Sequence, residues 1–388
     1  MTTTVCFVTS ADLSGSSGRN IATREIVKAF AVDPDIQLQL IVPRPQQSSA
    51  NAVFKATSQV LFLPLKDGSK KWYVYSQPQL LRHLWQCRNS DFLVTRSHPS
   101  HILPPLASDI FGTKYVLLIR GLAALDDRSQ EQFGKLAHHV IKKNSNSADK
   151  IVIAYEEIEQ RLQTLGWGLS EKTEVFPNAV DTSRFHAIPK NSARDKLDIQ
   201  FSSQDFVVGF VGSVRQRHRL RSLIKAIAIC QRQLESIKLL IIGNGPQKEA
   251  LQSLCDTKDI ESRVVFTGHV PHDSVPTYIS ACDVLYGVSD DDRPSNPIKC
   301  YEYLACERPI ITSRTPELEF VEELPAGEML EKVTPERVAD AIVDLEHAGR
   351  SFRSEMGQRG RKYVAEHHTW DQIVDICTAP IVESNAEY

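Results

Sequence analysis

Short apolar runs alternate with helix-spaced segments along most of this chain. TVCFVTS (from Thr4) reads as a buried strand; a Gly/Ser turn follows, and then IATREIVKAFA, whose apolar positions recur at helical spacing. IQLQLIVP (from Ile36), VLFLPL (from Val60), DFLVTRS (from Asp91), YVLLIRG (from Tyr115) and KIVIAY (from Lys150) are further strand candidates. The alternation halts in FHAIPKNSARDKLDIQFSSQ (from Phe185), a polar stretch with little buried character that reads as a linker. It restarts with DFVVGFVGS (from Asp205), IKLLIIGNG (from Ile237), RVVFTGHV (from Arg263), CDVLYGVS (from Cys282) and RPIITSR (from Arg308). Near-continuous apolar strands separated by helices predict parallel sheets covered on both faces. The expected fold class is therefore α/β, with two successive Rossmann-like, doubly wound units, one over residues 1–190 and one over 191–365.

Length agrees with that division, since 388 residues exceed the size at which one hydrophobic core stops growing. Composition changes little: 41% hydrophobic, 24% charged and a formal net charge of −3 describe an ordinary globular chain, not a basic nucleic-acid binder. No run of about 18 apolar residues predicts a spanning helix, and the opening MTTTVCFVTSADL lacks a secretory pattern, so a cytoplasmic location is expected. The eight cysteines form no CxxC pair and the histidines no HExxH, so neither a disulfide framework nor a metal site is expected.

Three segments carry candidate chemistry. In GFVGSVRQRHRLRSLIKAIAI (from Gly209) a strand ends at Gly212 and a helix starts soon after, with Arg215, Arg217, His218, Arg219 and Arg221 in the turn. Positive charge and free amides beyond the ends of parallel strands suit a pyrophosphate. IIGNGPQKEAL (from Ile241) repeats the arrangement with Gly243, Gly245 and Pro246, a pattern that is mostly structural. In SDDDRPSNPIKCYEYLACERPIITS (from Ser289) a polar loop precedes a helix beginning near Pro297, beside Ser295 and Asn296, with Lys299 and Glu302 on the helix. A carboxylate at Glu302 can accept two hydroxyl hydrogen bonds, as a ribose requires. No strand is followed by GxGxxG, which argues against a nicotinamide oxidoreductase.

FPNAVDTSRF (from Phe176), GFVGSVRQRH, LLIIGNGPQKEALQSL, VVFTGHVPHDSVPTYISACDVL, NPIKCYEYLACERPIITS and MGQRGRKYVAEHHTW (from Met356) follow one another in an order that resembles the family-four retaining glycosyltransferases. The resemblance covers the second half plus the PNxVD segment. It implies a GT-B fold, two Rossmann-like domains facing across a cleft, with residues 366–388 crossing back to the first. It further implies transfer of a sugar from a nucleotide donor, UDP- or GDP-linked, to a carbohydrate or glycolipid hydroxyl, without metal or other cofactor. By the same resemblance Glu302 binds donor ribose, Asn296, Pro297, Ile298 and Lys299 meet the diphosphate, and Gly268, His269 and Val270 lie along the base. Arg215, Arg217 and His218 serve the phosphates, and Gly15 and Gly18 approach the transferred sugar. The family's first paired glutamate aligns with Pro294, so it is absent here, and Asp290, Asp291 or Asp292 stand near in its place. His218 and Arg219 occupy positions where the family has lysine and glycine.

In the first half the signals are the strand ends. Arg96, Ser97 and His98 end one strand and Arg120–Gly121 another, with Asp126 and Asp127 beyond. Arg96, Arg120 and Asp126 are taken as acceptor-side, while His98, Arg215 and Glu302 are the side chains expected to carry the reaction. Residues 66–88 mix Lys66, Lys70, Lys71, Arg82 and Arg88 with Trp72, Tyr73, Tyr75 and Trp85, a combination that suits peripheral contact with an anionic inner-membrane surface. Competing readings are an epimerase of the same fold, which needs no acceptor, and a non-catalytic scaffold that still binds a nucleotide sugar.

Overall fold

The computed structural model describes residues 2–380 apart from 16, 47–50, 67–68, 70, 122–131, 168–169, 198, 200 and 290–295. Asp126, Asp127, Asp290, Asp291, Asp292, Pro294, Ser295 and Lys70 thus lie outside the described residues. The chain divides into two compact units, Met1–Pro177 with Trp370–Tyr388, and Asn178–Thr369.

Unit 1 is built on a parallel sheet of β1 (Thr3–Val8), β2 (Ile36–Pro43), β3 (Gln59–Leu63), β4 (Phe92–Arg96), β5 (Lys114–Ile119), β6 (Lys150–Ile153) and β7 (Thr173–Val175), in the order β3-β2-β1-β4-β5-β6-β7. Unit 2 repeats the topology with β8 (Phe206–Val211), β9 (Ile237–Ile242), β10 (Val264–Gly268), β11 (Val284–Tyr286), β12 (Ile310–Ser313) and β13 (Gly327–Leu330), in the order β10-β9-β8-β11-β12-β13. Strand order therefore reverses beside β1 in one unit and beside β8 in the other. At such a switch point the two neighbouring crossovers run to opposite faces and leave a crevice at the C-terminal strand ends.

Burial on both faces explains the near-continuous apolar strands. Along β8, Phe206, Val208 and Phe210 enter one core with Ile224, Ile227 and Ile342, while Val207 faces a second core with Leu285, Tyr303 and Leu304. In unit 1, Cys6 and Val8 join Leu117 and Ile153 on one face, and Phe7 meets Phe30 at 5.7 Å on the other. Local signals set the helix starts. Ser17 accepts from the Asn20 amide at 3.3 Å to open the helix Gly18–Val32, and Thr334 accepts from Arg337 at 3.3 Å ahead of Pro335. All eight cysteines are buried and free.

Two expectations require correction. The polar stretch from Phe185 is no linker: it contains the helix Lys190–Asp195, and Phe185, Ala193 and Arg194 are buried. Arg194 donates to the carbonyls of Ala281 (3.0 Å) and Ser202 (2.7 Å) and pairs with Asp283 at 3.1 Å, so a charged residue here is an internal brace. The passage between units accordingly falls at Pro177/Asn178, ahead of residue 190, because Val180 and Phe185 already pack in the unit 2 core. The return falls at Thr369/Trp370: Trp370 meets Phe176 at 6.5 Å, and Lys150 donates to the Ile376 carbonyl at 2.8 Å.

Candidate functional site

At the switch point of unit 2 the turns after β8, β9 and β10 are fastened to one another. Gly212 donates to Ile242 at 2.9 Å, Val214 to Asn244 at 3.0 Å, and Gly243 to the Gly268 carbonyl at 2.8 Å. Gly243 has φ of 131°, and a Cβ there would fall 2.0 Å from the Gly212 oxygen; one on Gly245 would fall 2.4 Å from the Val214 oxygen. The two glycines of GNGP therefore let neighbouring turns touch. Gly268 takes part through its carbonyl, and Val270 is half-buried against the core.

This clamp fixes the basic turn. Val214 is fully buried, so Arg215 and Arg217 stand exposed while His218 turns inward. Arg219, where the family has glycine, takes a left-handed φ of 49°. His218 lies 3.0 Å from the Lys299 ammonium through Nδ1, and its Nε2 accepts from Arg217 Nε at 3.3 Å. Burial, with Lys299 and Arg217 adding to it, pushes the His218 pKa down to about 2, so the ring is neutral. It was expected to contact phosphate; the structure makes it the inner wall that separates Lys299 from Arg217.

Lys299 is buried, with its ammonium 4.5 Å from the Phe210 ring centroid. It forms no ion pair among the described residues, and burial pushes its pKa down to about 7. It rides on the helix Ile298–Ala305, whose start at Pro297 has no side-chain cap; the Cys300 amide donates to the Pro297 carbonyl at 3.0 Å, and the Ile298 and Lys299 amides have no acceptor among the described residues. Asn296 holds that start: its carbonyl and side-chain oxygens accept from Asn178 at 2.5 and 3.3 Å, and its Nδ2 donates to Tyr301 at 3.1 Å. Sequence reasoning placed Asn296 in the site but missed Asn178, although the PNAVD segment was the signal. Tyr303 was missed too: its hydroxyl accepts from the Val211 amide (2.8 Å) and donates to the Val211 carbonyl (3.1 Å), docking the helix on the end of β8.

Glu302 is buried on the same helix, with Oε1 3.8 Å from His272 Nε2. Arg184 Nη1 donates to His272 Nδ1 at 3.1 Å, which leaves the imidazole proton on Nε2, facing the carboxylate. Unit 2 thus brings together Arg215, Arg217, His218 and Lys299, with Glu302 on the helix that carries Lys299.

In unit 1, Arg96 ends β4 and His98 follows it, beside β1. His98 Nδ1 accepts from the Ser100 amide at 3.2 Å, and burial with surrounding cations lowers its pKa to about 2. A Cβ on Gly15 would fall 1.9 Å from Asn20 Nδ2, a contact that the Asn20 side chain can relieve by moving, whereas Gly18 opens onto free space. Arg120 donates to the Phe176 and Pro177 carbonyls, 3.0 Å to the latter, so its guanidinium holds the end of unit 1. Trp72 is fully buried and donates to the Pro64 carbonyl at 3.0 Å, which removes it from the aromatics available to a membrane surface.

Three comparisons bear on this geometry. Residues 192–363 match the family Glycosyl transferases group 1. The GDP-mannose-dependent alpha-(1-6)-phosphatidylinositol monomannoside mannosyltransferase of Mycobacterium tuberculosis is 25% identical over 245 residues, 61% of this chain and 63% of that protein. The chain therefore matches less than two thirds of that relative's length. HepE of Anabaena, solved in complex with UDP, superimposes with a TM-score of 0.77 at 16% identity, over 97% of this chain and 100% of that one. The fold is thus GT-B, and residues 192–363, within the second unit, are similar to the group 1 glycosyl transferases.

Proposed function

We propose that the chain is a retaining glycosyltransferase that moves a sugar from a UDP- or GDP-linked donor to an acceptor hydroxyl. The observation that carries this reading is the buried Lys299, which forms no ion pair among the described residues, set beside Arg215 and Arg217 at the uncapped start of the helix Ile298–Ala305. Three cations that form no ion pair among the described residues, beside open amides, suit a diphosphate. That charge is supplied by side chains, so the leaving group can be stabilised without a metal. Glu302, four positions after Ile298, would accept from the ribose hydroxyls. The UDP bound to HepE and the GDP-mannose dependence of the mycobacterial enzyme support a nucleotide diphosphate donor.

In the proposed step the bond from the anomeric carbon to the diphosphate breaks and the acceptor oxygen bonds to the same face. The departing phosphate oxygen takes the acceptor's proton, so no side-chain nucleophile is called for. Arg215, Arg217 and Lys299 stabilise the charge that develops on the diphosphate.

A panel of UDP- and GDP-sugars titrated into wild type and Glu302→Gln tests the site. The variant should bind its donor about tenfold or more weakly, as expected for a lost charge-assisted bond. Unchanged donor binding by a folded variant would overturn the assignment, and an inverted anomeric configuration in the product would overturn retention.

A membrane contact through residues 66–88 has a narrower basis than the sequence suggested. Leu81 and Trp85 lie one turn apart on the helix Gln77–Gln86, and Leu106 and Ile110 one turn apart on Pro104–Phe111. All four are exposed, Trp85 by 60% and Ile110 by 66%, and Trp85 meets Phe111 at 5.8 Å. Arg82 and Arg88 are exposed nearby, so the face suits an anionic bilayer. Flotation with anionic vesicles should recover the chain and lose it as salt rises, and Trp85→Ser should weaken recovery. Equal recovery with uncharged vesicles, or none at all, would sink the idea.

A further inference from the structure

Unit 1 carries a second group of cations that the donor site of unit 2 does not use. It gathers where β1 and β4 end, around the imidazole of His98. The Ser100 amide donates to His98 Nδ1, so the ring's proton is on Nε2. That Nε2–H lies 3.5 Å from the Lys66 ammonium. Two donors face each other there and cannot bond one another; an oxygen with free lone pairs would satisfy both. Lys66 is half-buried and anchored by a 3.1 Å bond to the Ser10 carbonyl, which fixes its ammonium in this place.

Two arginines add to the imbalance. Arg96 donates one hydrogen bond, to the Arg19 carbonyl at 2.7 Å, and forms no ion pair among the described residues. Burial, then the charges of Arg19 and Arg120, lowers its pKa to about 9. The charges of Lys66, Arg19 and Arg96 all bear on the His98 ring. Asp12 is the carboxylate that bears on Lys66, and its Oδ1 already accepts from the Ser14 amide (2.9 Å) and hydroxyl (2.6 Å). Neither Lys66 nor Arg96 forms an ion pair among the described residues, and buried or half-buried cations of this kind are destabilising unless a ligand supplies the missing charge.

We propose that Lys66, Arg96 and the Nε2–H of His98 form an anion site in unit 1 that takes a phosphate or carboxylate group of the acceptor. This rests on the glycosyltransferase reading, and it narrows the acceptor to an anionic molecule. The same oxyanion chemistry could come from the donor's own phosphates, and the test separates the two sources.

The full chain is titrated by calorimetry with inorganic phosphate and with glucuronate, free and saturated with UDP or GDP. Phosphate or glucuronate should bind the nucleotide-saturated chain. Lys66→Met and Arg96→Gln should each weaken that binding about tenfold or more while nucleotide affinity holds, and Lys66→Arg should retain it. Competition between anion and nucleotide, or matching loss of nucleotide affinity in Lys66→Met, would give the site to the donor and overturn the acceptor assignment. Absence of anion binding, or binding indifferent to both variants, would overturn the site itself. Should Arg96→Gln fail to fold, the half-buried Lys66 carries the test. Anion binding that depends on Lys66 in a chain that takes no nucleotide would leave this site standing and remove the glycosyltransferase reading.

Discussion

Asp283→Ala is expected to destabilise the second unit by about 3–5 kcal/mol, the usual range for removing one partner of a buried ion pair. Asp283 accepts from Lys190 at 2.6 Å through one oxygen and from Arg194 at 3.1 Å through the other. The Arg194 and Asp283 side chains are both 5% exposed, so water cannot replace the lost charge. The substitution also strips the Val207 amide, at the start of β8, of its 2.9 Å bond to the carboxylate. Buried Arg194 and half-buried Lys190 then lose their counter-charge, and the Val207 amide loses its acceptor. Urea unfolding should show the loss as a lowered midpoint. Asp283→Asn, which keeps an acceptor but not the charge, should fall between the two. A combined Lys190→Met, Arg194→Met, Asp283→Leu chain should recover part of the loss, because removing every charge also removes the desolvation penalty. A midpoint for Asp283→Ala close to that of wild type would show that the triad contributes little.

That triad marks where sequence reasoning stopped. Strands buried on both faces were legible because nearly every residue in them is apolar, as in IKLLIIG and YVLLIRG. Arg194 lies in a segment whose polarity reads as solvent exposure, and only a partner 89 positions away makes it internal. β7 and β13 were missed for a different reason. They are short strands at the sheet edges, and Glu174 and Glu328 interrupt their apolar pattern. At the candidate site, residue types were readable but their engagement was not. His218 looked like a phosphate ligand until its ring was found buried between Lys299 and Arg217. Arg120 looked like an acceptor contact until its guanidinium was found on the carbonyls at Phe176 and Pro177. The cationic character of the unit 1 cluster was hidden because Lys66, Arg19 and Arg96 come from separate segments. Periodicity reports which face a residue occupies; it does not report which charges lack a counterpart.

Lys299→Met tests whether a residue kept for binding weakens the fold that holds it. The ammonium is buried against the Phe210 ring without an ion pair among the described residues, and methionine fills a similar volume without charge. The folded chain releases this proton near pH 7, whereas the unfolded chain holds it to about the ordinary 10.5. Between those values the unfolded state binds the extra proton, so this residue makes wild-type stability rise with pH across that window. Below it the full penalty of the buried charge remains. Lys299→Met should therefore be more stable than wild type at about pH 6, with the difference shrinking by about pH 10. Denaturant midpoints at the two pH values measure this. Binding should move the opposite way. Loss of one charge-assisted contact to the diphosphate, about 1.5–3 kcal/mol, weakens donor binding about ten- to hundredfold. A bound diphosphate would also favour the charged lysine, so nucleotide binding to wild type at about pH 8 should take up a proton, seen as an enthalpy that depends on the buffer. The methionine variant should lose that dependence. A variant that binds donor as tightly as wild type, or whose stability falls at both pH values, would show that Lys299 serves packing and not the donor's phosphates.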